Sequence, residues 1–337
     1  ATFKGSGATL GVPGNVTIKT SWNGSAAGIQ AAVQPVPQSF LADSVSLGNA
    51  TTAGGGTSVS GGQSVASPAT ESVNPEIAMS DVDQVATPFT TGNPLDKDII
   101  GVVDFVWCAS VAAKTTAPFT SISNITPQIA QALYGGTGKL ALSLFTGNSA
   151  DSSTFVYGTG RNPDSGTRLT AFAESSVGLF STVQQWFPTV SGGAVTALAL
   201  WPAETINGIP FTTGNSGFSS GGNLRTALQA TTGSVGGGIG STALIGYLSN
   251  ADARSAINGN TIKELAYDGV TYGGNTTLIK EGQYTFWSYE WLMFLQSLSG
   301  DKLTVATGLR AQAKLDAPIK LTDMHVSRQT DGGVVTP

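Results

Sequence analysis

Apolar and polar positions alternate at period two through Asn15-Val16-Thr17-Ile18-Lys19-Thr20-Ser21-Trp22, which predicts a strand. That run leads into residues 23–33, Asn23-Gly24-Ser25 and then an Ala/Ile-rich stretch, which read as a loop followed by a helix. A second β-type run, Ser153-Thr154-Phe155-Val156-Tyr157, precedes a glycine-bounded turn and the helix-like run Leu169-Thr170-Ala171-Phe172-Ala173-Glu174. Residues 76–81 read as a buried strand meeting a loop at Asp81, and residues 102–109 form an apolar run. Strands alternating with helices predict an α/β protein. Trp287, Tyr289 and Trp291 alternate with polar residues, either as strand packing or as a face on which a sugar stacks.

The turn Gly160-Arg161-Asn162-Pro163-Asp164-Ser165-Gly166-Thr167-Arg168 carries the clearest candidate chemistry. It opens a helix, whose first N–H groups have no intrahelical partner and sit at the positive end of the peptide dipoles. Ser165, Gly166 and Thr167 would offer those amides plus two hydroxyls, Gly166 would admit a ligand close to the backbone, and Arg161 would add a planar charged fork. The plainer account is an ordinary cap, with Asp164 or Ser165 closing the helix and Arg161 in solvent.

Composition narrows the classes. The chain has 337 residues, enough for two domains, with 11% charged residues, 44 glycines and a net charge of −5. Sparse charge and abundant hydroxyls suit an exported surface, and the negative balance disfavours nucleic acid or an anionic membrane as partner. One cysteine, Cys108, excludes an intrachain disulfide and a Cys-rich metal site; its apolar setting predicts a buried, inert thiol. No run is long and apolar enough to span a bilayer. The start at Ala1 suits a mature form after signal cleavage, and any other trimming leaves the same start. The Asn-x-Ser/Thr triplets, Asn49-Ala50-Thr51 among them, are what a Ser/Thr-rich chain produces by chance. Residues 49–70 and 231–240 are glycine-rich; the second lacks the Gly-Lys-Ser/Thr of a nucleotide loop. The sole histidine, His325, reads as a surface residue, with no nucleophile elbow beside it, so neither catalysis nor a metal or cofactor site is expected.

Arg161-x-x-x-Ser165-Gly166-Thr167 resembles the Arg-x-x-x-Ser-Gly-Thr signature of the phosphate-binding proteins of ABC transporters, with the type 2 periplasmic-binding-protein fold. Pro75-Glu76-Ile77-Ala78-Met79-Ser80-Asp81 resembles that family's strand ending in a Ser-Asp pair, residues 122–134 its Thr-x-x-Gln-like helix, residues 245–248 its late Gly-Tyr strand and residues 284–292 its returning hinge strand. The resemblance implies two lobes around a cleft, with 1–100 plus 284–337 in lobe one, 101–283 in lobe two, and residues 1–14 an extra arm. It implies an anion clamp of Ser25, Ala26, Ser80 and Asp81 from one lobe with Arg161, Ser165, Gly166 and Thr167 from the other. Asp81 would accept a hydrogen bond from the P–OH of hydrogen phosphate and repel sulfate. Thr9, in Gly5-Ser6-Gly7-Ala8-Thr9-Leu10, competes with Ser25 for the first ligand loop; residues 49–70 read first as a surface loop, and the resemblance offers Thr57 or Ser58 within them as a second ligand contact. One departure stands out: the family's Asp two residues after the Arg is here Pro163, and Asp164 comes one later. Arg161 therefore needs another brace, and Arg168 either lines the cleft or faces solvent.

The implied role is uptake: a secreted or periplasmic solute-binding protein delivering phosphate, or a related oxyanion, to an ABC permease. The alternative is a secreted structural protein that self-assembles on the same fold through its terminal strands, residues 1–7 and 326–337.

Overall fold

The computed structural model describes residues 2–42 and 69–337; Thr57, Ser58 and Asn49 lie outside them. Two antiparallel strand pairs come first, β1 (Thr2–Ser6) with β2 (Asn15–Lys19) and β3 (Gln38–Leu41) with β4 (Thr70–Val73). Helix α1 (Ser25–Val33) lies between them, and β5 (Ile77–Ser80) and the 15-residue β6 (Leu95–Ala109) follow. The middle of the chain holds α2 (Ala112–Thr115), β7 (Asn124–Ile125), α3 (Pro127–Gly135), β8 (Lys139–Ala141), α4 (Ser143–Thr146), β9 (Phe155–Gly158) and α5 (Gly166–Glu174). Two further hairpins, β10 (Trp186–Ser191) with β11 (Ala194–Leu200) and β12 (Glu204–Ile206) with β13 (Ile209–Phe211), precede α6 (Gly221–Gln229). Then come β14 (Ala243–Ser249), α7 (Asn250–Asn258), β15 (Lys263–Glu264), β16 (Ala266–Tyr267), α8 (Thr276–Lys280), β17 (Trp287–Leu295) and α9 (Gly300–Asp316).

The architecture is α/β around a mixed sheet in the order β5-β17-β6-β14-β9-β8, with β15 also on β6. Only β14 and β9 run parallel; the other pairs are antiparallel. The unbroken apolar run Ala243-Leu244-Ile245-Gly246-Tyr247-Leu248 makes β14 a strand covered on both faces, and its residues are buried throughout. β6 is the spine: residues 95–104 pair with β17 and residues 105–109 with β14.

Three apolar clusters sit on this sheet. The largest gathers Trp107, Tyr134, Phe172, Tyr247 and Phe286, with the Trp107 and Tyr247 rings edge-on at 5.4 Å. A smaller one joins Ile29 and Val33 of α1 to Ala78, Val82, Leu169 and Met293, and the third packs α9 through Ala306 on Leu292 and Phe294. β6 and β17 pass from the large cluster into the smaller ones, so these two strands join the cores.

The strand expected over residues 15–22 is observed as β2, which ends at Lys19, and it does not enter the central sheet; it pairs only with β1 among the described residues. Its burial explains this, since Val16 and Ile18 are half-buried and Asn15 and Thr17 are exposed. A strand with one wet face fits a hairpin rather than a sheet covered on both sides. Of the Trp287-Tyr289-Trp291 row, Trp287 is fully buried and closed to a sugar, with the Arg328 guanidinium 4.0 Å over its ring, while Tyr289 and Trp291 are half-buried and Lys97 Nζ lies 5.5 Å from the centre of the Trp291 ring. Cys108 is fully buried, and burial pushes its thiol far up, away from reactivity. His325 is on the surface, its Nδ1 2.8 Å from Glu281 Oε1.

Candidate functional site

Two helix N-termini meet where the large and small cores adjoin. Ser165 caps α5, its hydroxyl accepting the Arg168 N–H at 3.3 Å, and Ser165, Gly166 and Thr167 are all buried. Asp164 is not the cap; its carboxylate accepts from the Asn207 amide at 2.6 Å. Opposite, α1 starts at Ser25 after Gly24, which provides no side-chain cap. Gly24 leaves room for the Asp164 carbonyl, which accepts the Ala26 N–H at 3.0 Å. The Ser25 hydroxyl accepts the Asp81 N–H at 3.1 Å, tying α1 to the end of β5.

Gly166 is the point of closest approach. A Cβ there would fall 2.7 Å from Asp81 Cβ and nearer still to Ser25 Oγ, so no other residue fits without moving its neighbours. Ser25, Ala26, Asp81, Ser165 and Gly166, far apart in sequence, thus share one junction, with Thr167 next on the first turn of α5. Ser80 does not join them: its hydroxyl donates to the Val82 carbonyl at 2.7 Å and accepts the Val82 N–H at 3.1 Å, closing the turn after β5. Thr9 is exposed, in a short turn packed on α9 through Leu10 and Gly308.

Arg161 is 9% exposed rather than solvated. Its brace is backbone: Nε donates to Phe218 O and Nη2 to Ser219 O, both at 3.1 Å. These carbonyls stand in for the missing carboxylate at Pro163. Burial pulls the Arg161 pKa down, while Asp252, Tyr247 and Asp81 hold it up. Arg168 neither lines the cleft nor faces solvent. It is 3% exposed, donates to the Arg161 carbonyl at 3.2 Å and to Asn215 Oδ1 at 2.6 Å, and so supports Arg161 from behind.

The group that sequence reasoning missed is Glu290. It shares a hydrogen bond with Asp81. Burial pushes Glu290 far above the ordinary carboxyl range, and the adjacent Asp81 pushes it further. Asp81 is raised by burial, then partly restored by the Arg161 guanidinium and by the Glu290 hydrogen bond. Each acid therefore makes the other harder to ionise, and the pair as a unit favours holding a proton, with Glu290 pushed the further up. The only available signal was a lone acid in the aromatic run Phe286-Trp287-Ser288-Tyr289-Glu290-Trp291. Asp331 adds negative charge nearby, its carboxylate held by the Asp83 N–H and the Ser288 hydroxyl, both at 2.8 Å.

Chemically, the junction combines first-turn amides and hydroxyls and one buried guanidinium, all donors, with a buried acid pair that accepts hydrogen bonds. Among the described residues, no three His, Cys, Asp or Glu side chains are placed to hold a metal ion, and no helix is long and apolar enough to cross a membrane.

No protein-family model and no curated protein matches the chain. Among solved structures it is similar to an ABC-type phosphate transport receptor from Vibrio cholerae, at 10% identity over 70% of this chain and 73% of that one, with a TM-score of 0.41. It is also similar to PstS from Borrelia burgdorferi, at 10% identity over 71% and 72% of the two chains, with a TM-score of 0.35. CrgA, a LysR-type transcriptional regulator from Neisseria meningitidis, is matched at 13% identity over 71% of this chain and 52% of that one, with a TM-score of 0.29. At these TM-scores the likenesses carry no argument, and function rests on the residues of this chain.

Proposed function

We propose that the junction between α1 and α5 binds a protonated oxyanion, inorganic phosphate above all, and that the protein is a non-enzymatic solute-binding protein. The observation that supports this most is the meeting of Ser25, Asp81 and Gly166 beside the buried Arg161. Binding proceeds by separation of residues 1–100 and 284–337 from residues 101–283, entry of the anion, and closure onto it, with β6 and β17 as the hinge. Hydrogen phosphate donates its P–OH to Asp81 and accepts from the α5 amides, Thr167 and Arg161. Sulfate has no proton to donate and is repelled by the Asp81 carboxylate. Secretion and handover to a membrane permease complete this reading.

Titration calorimetry of phosphate-stripped protein with phosphate and then sulfate, at fixed salt and pH, tests it. Phosphate binds at micromolar or tighter affinity, sulfate at least tenfold more weakly, and Arg161→Ala abolishes the heat. Charge-assisted bonds contribute about 1.5–3 kcal/mol each, and about 1.4 kcal/mol is tenfold. No heat from either anion would sink the proposal.

The assembly alternative keeps one supporting observation. β1 pairs only with β2 among the described residues, and Phe3 on it is about half exposed. Residues 326–337, its other arm, pack on their own chain through Arg328 and Asp331.

A further inference from the structure

Strand register brings the acid pair at the anion junction together. On β17, Trp291 lies opposite Ser80 of β5, the residue before Asp81, and Glu290 lies opposite Gly101 of β6. The register between β17 and β6 shifts between Glu290 and Trp291, and an irregularity of this kind re-aims a side chain. It accompanies a hydrogen bond between the carboxyls of Glu290 and Asp81, both half-buried. Ionised carboxylates carry acceptors only, so this bond exists only while the pair holds a proton.

The surrounding charges make that proton matter. Facing Asp81 are Glu290 from β17, Asp252 from α7, Asp331 from the C-terminal segment and one cation, Arg161. Behind them, Asp331 accepts the Asp83 N–H, Asp83 pairs with Lys97 of β6, and Arg328 offsets part of the Asp331 charge. Arg168 is turned away, onto Asn215 and the Arg161 carbonyl, and the first turns of α1 and α5 carry no acid. Three carboxyls thus surround Asp81 against a single guanidinium. With every acid ionised, an anion would enter against net negative charge, and each proton taken up removes one repulsive charge. We infer that Glu290 is a positioning residue that couples anion capture to a proton: with Asp81 it forms a unit that takes up one proton from solvent together with the anion. Linkage makes the effect mutual, the anion tightening the proton and the proton tightening the anion. This rests on the phosphate reading above and adds its regulation.

Calorimetric titration with phosphate from pH 5 to pH 9, at fixed salt, of the unaltered protein and of Glu290→Gln tests it. The titration of phosphate itself is common to both proteins, so the difference between the two pH profiles is the quantity to read. The Gln amide donates to Asp81 at every pH and does not ionise. Where the pair titrates, affinity in the unaltered protein falls with pH about tenfold per unit more steeply than in the variant, the slope for one proton. Infrared spectra of the unaltered protein supply a second readout should Glu290→Gln fail to fold: phosphate moves the loss of a protonated-carboxyl band to higher pH. Parallel pH profiles, or a carboxyl band whose midpoint phosphate does not move, overturn the inference while phosphate binding stands. No heat from phosphate at any pH overturns both.

Discussion

Gly166 is a position where helix propensity and packing oppose each other. Alanine is the better helix former by about 1 kcal/mol, yet its methyl would press on Asp81 and Ser25. Overpacking of this kind costs about 1–3 kcal/mol. Gly166→Ala is therefore expected to lower the urea midpoint and weaken phosphate at least tenfold; an unchanged midpoint and affinity would show that the junction yields easily. Glu290 gives a pH-dependent prediction. Its folded pKa is raised above the ordinary 4.5 by burial and by Asp81, so between those values the folded state holds a proton that the unfolded chain has released. Stability from this group is full below the ordinary value and is lost as pH rises through the folded one. Glu290→Gln removes that loss. Urea midpoints at pH 5 and pH 8 should fall less steeply in the variant than in the unaltered protein, and equal slopes would contradict the assignment of the proton. Other buried acids contribute to both proteins, so the difference between the slopes is the quantity to read.

Among the elements, residues 327–336 act as a strap over the join between the cores. Arg328 donates to Glu174 Oε2 of α5 at 2.9 Å and to the carbonyls of Thr285 and Trp287, while Asp331 holds the Asp83 N–H and the Ser288 hydroxyl. Gly332 leaves no room for a side chain against Ala173 of α5. Arg328→Ala strands the buried Glu174 carboxylate without its partner, and loss of one member of a buried pair costs about 3–5 kcal/mol. Thermal unfolding should show a large drop in midpoint; a shift of a degree or less would mean that water replaces the guanidinium. Such long-range fastenings were not legible in the sequence. What could be read was local: the Ser165 cap, the turn at residues 160–168 and the apolar run of β6 follow from neighbours within a few positions. Ser25, Asp81 and Arg161 were placed together through resemblance, not periodicity. The Asp81–Glu290 pairing joins residues more than two hundred apart, and no pattern around either one encodes the other. β2 was readable as a strand, but its exclusion from the sheet depends on what covers its faces.

For the molecule as a whole, the cores are held together by β6, β17, the junction at Gly166, the strap and one hairpin tip. At that tip, between β12 and β13, Asn207 gives its amide to Asp164, and its carbonyl accepts from Gln30 of α1 at 3.2 Å. Asn207 has φ +52, a left-handed conformation that asparagine tolerates. If strap and junction cooperate, removal of residues 327–337 should speed hydrogen exchange at the Ala26 amide, which bonds Asp164 across the junction, by tenfold or more. Amides within α3 should keep their protection. Exchange that rises at Asp83 alone would show that the strap is a local cap. Deletion of residues 2–14 separates the binding and assembly readings by sedimentation: a binding protein keeps its mass and affinity, an assembling one loses its polymer. The strap also has a consequence for how the protein is made. Every hydrogen-bond partner of Arg328 and Asp331 precedes it by at least 39 residues, and Asp83 by 248. A chain leaving the ribosome N-terminus first therefore has the strands and helices of both cores before it has the fastener. During synthesis, and during any threading through a translocation channel, the joint between the cores stands unlatched until the last residues are free.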